Sequence, residues 1–141
     1  MKKLRVKRNA LKAPEFILLW RSVWSNPPTL AQTELALEHS VYTLSVFDGE
    51  KPVAMARMIG DFGLCYYIKD VVVRPEYQNK GIGKMMVGDM LRFIRKNGIP
   101  DTDIMVELCA LPEVAPFYDE LGFTSDDGQR MKLKCRAEAN Q

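Results

Sequence analysis

With 141 residues, 47% of them apolar and 27% charged, the chain has the size and composition of a single globular domain, able to bury roughly two-thirds of its unfolded surface. A formal net charge of +2 is too small to imply a polyanionic partner; no apolar run approaches the ~18 residues of a membrane span, and the basic start through Arg8 does not lead into the apolar core of a signal peptide. Cys65, Cys109 and Cys135 have neither CxxC nor histidine partner spacing, which argues against zinc or a disulfide framework and fits a reducing cytoplasm.

Residues 4–8 alternate apolar and basic, Leu4 and Val6 against Arg5, Lys7 and Arg8, as in an edge strand with one wet face. The basic cluster at residues 2–8 carries the alternative of a nucleic-acid contact, which no second basic patch or aromatic interleaving supports. From Pro14 the spacing of Phe16, Ile17, Trp20, Val23 and Trp24 predicts a helix, stopped by Asn26-Pro27-Pro28. Thr29-x-x-Gln32 has the form of a capping box for a second helix through about Glu38. Trp20 and Trp24 read either as core or as an aromatic wall displayed beside the Pro-Pro loop. A strand over 41–47, a hairpin turn at Asp48-Gly49-Glu50-Lys51, a return strand over 53–59, a turn at 60–63 and a strand over 64–73 form a meander.

That last strand runs into Asp70-Val71-Val72-Val73-Arg74-Pro75 and then Gln78-Asn79-Lys80-Gly81-Ile82-Gly83-Lys84. Proline ends the strand, and a helix follows with Ile82, Met86, Met90, Phe93 and Ile94 on one stripe, while Lys84, Asp89, Arg92 and Lys96 lie mostly off it. Glycines ahead of a helix N-terminus let bare N–H groups face a phosphate, with Lys80 and Lys84 as nearby cations. A plain tight turn would use the same glycines. A P-loop is excluded because Met85 follows Lys84, and the dinucleotide fingerprint is excluded because Met86 stands where its third glycine belongs. Asn97-Gly98-Ile99-Pro100 stops the helix. A strand over 104–109, a helix over 112–121 bearing Val114, Phe117, Tyr118 and Leu121, and a hairpin from Phe123-Thr124 through residues 125–128 to 131–135 complete a single domain. Its ordered core spans about residues 3–135, and the polar end frays.

Val73-Arg74-Pro75 with Gln78-x-x-Gly81-x-Gly83 resembles the acyl-CoA motif of the GNAT N-acetyltransferase superfamily. Ala115-Pro116-Phe117-Tyr118 through Gly122-Phe123 is similar to a second family segment, and the order of elements matches over nearly the whole chain. The resemblance implies an α/β (α+β) fold with a mixed, mostly antiparallel sheet of about six to seven strands and about four helices. Its fourth and fifth strands, here 64–73 and 104–109, splay apart. It implies acetyl-CoA as acyl donor and no metal, with the backbone of Val71, Val72 and Val73 binding the acetyl carbonyl and pantetheine amides. Gln78, Asn79, Lys80, Gly81, Ile82, Gly83 and Lys84 would hold the pyrophosphate, and Tyr118 would be the general acid. Asp70 and Glu107, on the strands flanking the cleft, are candidates for the base. A bulge would reverse their facing, and Asp70 serves equally as the ion-pair partner of an arginine. The sequence departs from many relatives at Leu111, where an asparagine contacts the cofactor arm.

The resemblance points to a small primary amine as acceptor, of aralkylamine, polyamine or aminosugar type, rather than a protein lysine or N-terminus. Trp20, Trp24, Tyr66 and Tyr67 would suit an apolar or aromatic amine; an aminosugar phosphate would want converging arginines such as Arg57 or Arg74. A non-catalytic acyl-CoA-binding module is the alternative, against which the intact Tyr118 and both glycines stand. No nucleic-acid or membrane partner is expected, and a homodimer is left open.

Overall fold

In a computed structural model, residues 3–126 and 128–139 are described, and the chain divides into two units, Met1–Cys109 and Ala110–Gln141. In the first unit, Arg5–Arg8 (β1), Tyr42–Asp48 (β2), Lys51–Gly60 (β3) and Cys65–Val73 (β4) pair as an antiparallel meander, with β1 at the edge. Met105–Glu107 (β5) adds to β4 in parallel, giving a mixed sheet of five strands in sequential order. Asp48 and Lys51 close the first hairpin around Gly49 and Glu50. The second turn is built by Asp61, whose Oδ1 accepts from the N–H groups of Gly63, Leu64 and Cys65 at 3.0, 2.7 and 3.0 Å. Tyr42 through Phe47 are all buried, because β2 is covered on both faces.

Helices Ala13–Val23 (α1) and Leu30–Glu38 (α2) cover one face of the sheet. Phe16 and Leu19 of α1 pack with Leu11 on Met55 and Val72, and Ile17, Trp20 and Leu37 close the margin. Full burial of such a side chain stabilises by about 1.5–3 kcal/mol. Thr29 caps α2 as expected, its Oγ1 accepting from Gln32 N at 3.1 Å.

Helix Ile82–Asn97 (α3) takes the other face. Its buried stripe of Ile82, Met86, Met90 and Ile94 is the predicted one, with Val87 added. Phe93 stacks on Tyr42 with ring centroids 4.3 Å apart. Asp89, expected mostly off the stripe, is instead buried, because three neighbours satisfy its carboxylate. Tyr42 donates to Oδ1 at 2.5 Å, Arg8 donates to Oδ2 through Nε at 3.0 Å, and Arg92 approaches to 3.7 Å. The basic cluster is likewise engaged within the fold: Arg5 donates to Gly49 O at 2.9 Å, and the Lys7 ammonium lies 4.5 Å from the centre of the Phe47 ring. Lys2 lies outside the described residues.

The second unit holds helix Ala115–Glu120 (α4), which ends where Gly122 turns to φ +98° and Phe123 N donates to Tyr118 O at 3.1 Å. The final hairpin is not formed among the described residues: 131–135 carry no strand, and Met131 and Leu133 are 89% and 88% exposed. An alternating Met-Lys-Leu-Lys stretch needs a sheet face to cover its apolar half, and an isolated two-stranded hairpin is marginal. The sheet therefore has five strands, not the six or seven expected. Asp127, in the expected turn, and residues 140–141, in the expected frayed end, lie outside the described residues.

Burial pushes the Asp89 carboxyl up, but the hydrogen bonds from Arg8 and Tyr42 and the charges of Arg8 and Arg92 outweigh it, and its pKa is lowered overall. The resulting stability is present above the ordinary carboxyl value of ~3.9 and is lost as pH falls through the lower folded value. Asp89→Asn should cost about 1.5–3 kcal/mol, the range for hydrogen bonds to a charged group. Urea unfolding across the acid range should show that the variant lacks this part of the acid dependence. An unchanged acid slope would assign it elsewhere.

Candidate active site

The pairing of β3 with β4 contains one irregularity. From Met55↔Val72 to Arg57↔Lys69, β3 advances two residues while β4 advances three. The extra residue lies at Asp70, which adopts φ +53°, a left-handed conformation that aspartate tolerates better than most L-residues. This bulge reverses the facing of the strand. Lys69 and Val72 leave the same side of the sheet, toward α1 and α2, where a regular strand would put Val71 and Val73.

The other edge of β4 opens just before the bulge. Among the described residues β5 pairs with β4 only at Cys65↔Met105, Tyr66↔Val106 and Tyr67↔Glu107, so the pairing of these two strands ends at Tyr67. Because Arg74 N donates to Val53 O at 2.9 Å, the alternating ladder turns the N–H and C=O of Val73 toward the open edge. Gln78 Nε2 donates to that Val73 carbonyl at 2.9 Å and ties the following loop to the strand end. Val72, by contrast, buries its side chain in the core under α1.

Beyond a single 3₁₀ turn, Pro75–Tyr77, the chain reaches α3 through Asn79 at φ +62° and Gly81 at φ +84°. Gly81 is the N-cap of α3 and has no side chain to close it; a Cβ there would meet nothing within 4 Å. Met85 N makes the first helical bond, to Gly81 O at 3.0 Å. The N–H groups of Ile82, Gly83 and Lys84 therefore precede the ladder and face outward with the positive end of a 16-residue helix behind them. Lys80 and Lys84 are exposed, whereas Ile82 is buried and can offer only its backbone. One end of β4 thus leads to an open helix N-terminus able to hold an anion, and beside it lies a strand edge with no ladder partner among the described residues.

Near its middle, at Lys69 and Asp70, β4 meets a cavity of about 330 Å³. Phe16 and Trp20 of α1, Gln32 of α2, and Arg57, Lys69 and Asp70 of the sheet line it. Trp20 also fixes the loop between the helices, its Nε1 donating to Ser25 O at 3.0 Å. Of the four aromatics expected at an acceptor wall, only Trp20 lines this cavity. Trp24 packs edge-on against Trp20 at 4.8 Å and is 41% exposed. Tyr66 lies on the α3 face against Phe93, with its hydroxyl buried and unpartnered. Tyr67 shares the face of Lys69, whose ammonium is 5.6 Å from its ring centre.

Asp70 is the ion-pair partner of an arginine: Arg57 Nε donates to its Oδ2 at 2.6 Å, with both side chains largely buried. Arg74 instead donates to Pro52 O at 2.7 Å. Glu107 is exposed and sits opposite Tyr67, at the last rung before the strands part. Burial pushes the Tyr118 phenol up, and no hydrogen bond from its hydroxyl is seen among the described residues. Leu111 is 59% exposed, and its carbonyl accepts from Val114 N and Ala115 N. The sequence reading missed Phe16, Gln32 and Lys69 as cavity residues. The strand register places Lys69, and only the bulge reveals which way it faces.

The sequence model of the acetyltransferase (GNAT) family matches residues 11–123. GCN5-related N-acetyltransferase 1, chloroplastic, of Arabidopsis thaliana is 36% identical over 115 residues, covering 79% of this chain and 56% of that protein. Serotonin N-acetyltransferase 2, chloroplastic, of Oryza sativa subsp. japonica is 34% identical over 95 residues, covering 64% of this chain and 46% of that protein. The chain thus spans about half the length of these curated relatives. Among solved structures, SA2161 from meticillin-resistant Staphylococcus aureus, a probable acetyltransferase, shares the fold with a TM-score of 0.84 at 21% identity, covering 94% of this chain and 100% of that one. The bulged strand, the open helix N-terminus and the family match agree over the same residues, and the chain belongs to the GNAT acetyltransferase family.

Proposed function

We propose that the chain moves an acetyl group from acetyl-CoA to a primary amine of a small molecule, with both substrates bound at once. One observation carries this reading. A single strand, β4, leads from the cavity floor at Lys69 and Asp70, along a free edge, to the anion cradle at Gly81. The cavity has the size of a small-ligand site, and the rice relative is named a serotonin N-acetyltransferase.

Bound acetyl-CoA supplies the acetyl group as a thioester; an acceptor that arrives as an ammonium ion first gives one proton to solvent, then a C–N bond forms, the C–S bond breaks, and the second proton lost by the amine balances the one gained by the thiolate. The chain's residues do the rest. The N–H groups at the start of α3, with Lys80 and Lys84, hold the pyrophosphate. The outward backbone of Val71 and Val73 orients the reacting end along the strand. Asp70 receives the ammonium by charge while Arg57 fixes its carboxylate. Glu107, at the mouth of the splay, or water next to it, accepts the amine proton. Tyr118, in the second unit, is the proton donor to the thiolate that the family resemblance implies; burial raises its phenol, so it stays protonated across the neutral range. The mechanism uses no metal. The exposed, unpaired thiols of Cys65, Cys109 and Cys135 fit a reducing compartment such as the cytoplasm, although the named relatives are chloroplastic.

The direct test is a panel of amines with acetyl-CoA, scored for the acetylated amine by mass spectrometry, because three exposed thiols would add background to a thiol reagent. Tight acetyl-CoA binding with no amine or protein acetylated would leave only a binding module. Gly81→Asp should weaken acetyl-CoA about a hundredfold, equivalent to ~2.7 kcal/mol, because it sets a negative charge at the cradle. Gly81→Asn, which tolerates the same left-handed backbone, should stay within about tenfold. Equal losses in calorimetry would reduce the glycine to a turn residue.

Tyr118→Phe removes one oxygen and keeps the volume. It should bind acetyl-CoA normally and lose about 10²–10⁴-fold in kcat. A change below about threefold, with chemistry rate-limiting, would make Tyr118 a core residue. Trp20→Ala should raise KM for the amine more than for acetyl-CoA, whereas Trp24→Ala should act on stability alone. A matched rise in both KM values for Trp20→Ala would remove it from the acceptor wall.

A further inference from the structure

The charges in the cavity say which amines it takes. Arg57 and Lys69 are direct partners across β3 and β4, so their side chains leave the same face, and both line the cavity. Like charges placed directly opposite each other on a sheet are destabilising unless an anion lies between them. Asp70 offsets only one of the two, through Arg57 Nε. That contact uses one edge of the guanidinium. Nη1 is 3.4 Å from Ser40 Oγ, a long contact, and the fork keeps further N–H groups for a ligand. Lys69 has no carboxylate in salt-bridge range among the described residues; its ammonium approaches only the Tyr67 ring. The other walls, including Phe16, Trp20, Gln32 and Leu37, are uncharged. The cavity thus carries one uncompensated positive charge, which an amine arriving as an ammonium ion worsens and a polyamine worsens further.

We propose that the acceptor is a primary amine that also carries an acidic group, a carboxylate or a phosphate, seated between Arg57 and Lys69. Its amine then points to Asp70, and its remaining surface lies on Phe16 and Trp20. This rests on the acetyl-transfer reading and narrows its acceptor. An α-amino acid with an apolar side chain meets the description with a carboxylate. An aminosugar phosphate meets it with a phosphate.

Two matched pairs test it: tryptophan against tryptamine, and glucosamine 6-phosphate against glucosamine. In at least one pair kcat/KM should favour the acidic member tenfold or more, and the pair that shows it tells carboxylate from phosphate. Lys69→Met should lower kcat/KM for that acidic acceptor tenfold or more, through KM, and raise it for the plain amine. Lys69→Arg should restore the preference. A plain amine equal or better in both pairs, or a preference that survives Lys69→Met in a folded protein, overturns the proposal. The acetylated products separate this result from the fate of the reaction itself. N-acetyltryptophan against N-acetyltryptamine, and the matching N-acetylglucosamine pair, are compared by calorimetry without turnover. Tighter binding of one acidic product, lost in Lys69→Met, upholds the site even if no amine is acetylated. Absence of any preference, with plain amines acetylated, removes the site and leaves the reaction standing.

Discussion

The extra residue at Asp70 is the constraint on which the site depends. An aspartate in the left-handed region costs about 1–2 kcal/mol, and a charge-assisted hydrogen bond contributes about 1.5–3 kcal/mol. The pair with Arg57, at 2.6 Å and largely buried, is therefore of the right size to hold the bulge in place. Arg57 also approaches Ser40, which itself donates to Ala36 O at 2.8 Å, so the bulge is tied to the end of α2. Its effect on the rest of the chain follows from parity. With the bulge, Val72 fills the core beside Met55 and Phe16 while Lys69 reaches the cavity. Without it one of the two would face the wrong way, and either the core or the cavity would be lost.

The other end of the site is held by α3. Four apolar side chains, Ile82, Met86, Met90 and Ile94, anchor the helix to the sheet, and Asp89 fastens it to β1 through Arg8 and to β2 through Tyr42. A helix fixed along its length presents its first N–H groups in a set position, so an anion finds donors already oriented. The absence of a capping side chain at Gly81 has meaning only in this setting. On a loose helix it would be a weaker cap, by a few tenths of a kcal/mol; on an anchored one it leaves the first N–H groups open.

Most of the architecture was legible because it is written in local chemistry. Proline after the valines, glycines before an amphipathic stripe and turn residues between alternating runs each act within a few positions, and they placed β1 to β4 and α1 to α3 to within a few residues. The site was legible as a motif but not as a surface. Nothing in Asp70-Val71-Val72-Val73 announces an extra residue, since a bulge is a property of two strands and one sequence shows only one of them. For the same reason Tyr66 and Tyr67 could not be told apart, though they face opposite sides. Lys69 passed as a strand lysine until its register against Arg57 was known. Asp89 read as surface because its partners, Arg8 and Tyr42, stand 81 and 47 residues away in the chain. The alternation at residues 131–135 suggested a strand that does not form among the described residues, where nothing covers its apolar half.

The open edge of β4 is the feature that a purely structural account leaves unexplained. Residues 68–73 are buried or half-buried, yet β5 pairs with none of them. Backbone N–H and C=O groups in such a place cost free energy unless something bonds them, and a bare edge invites pairing with another chain. The protein blunts the hazard with a bulge, with Lys69, with Pro75 just past the strand end and with Gln78 capping the Val73 carbonyl. It does not remove it, although a β5 longer by a few residues would. In the proposed acetyl transfer, a sheet that keeps one edge of β4 unpaired among the described residues, between the start of α3 and a charged cavity, would take an extended, amide-bearing ligand as its missing rungs, and the pantetheine arm of acetyl-CoA has that chemistry.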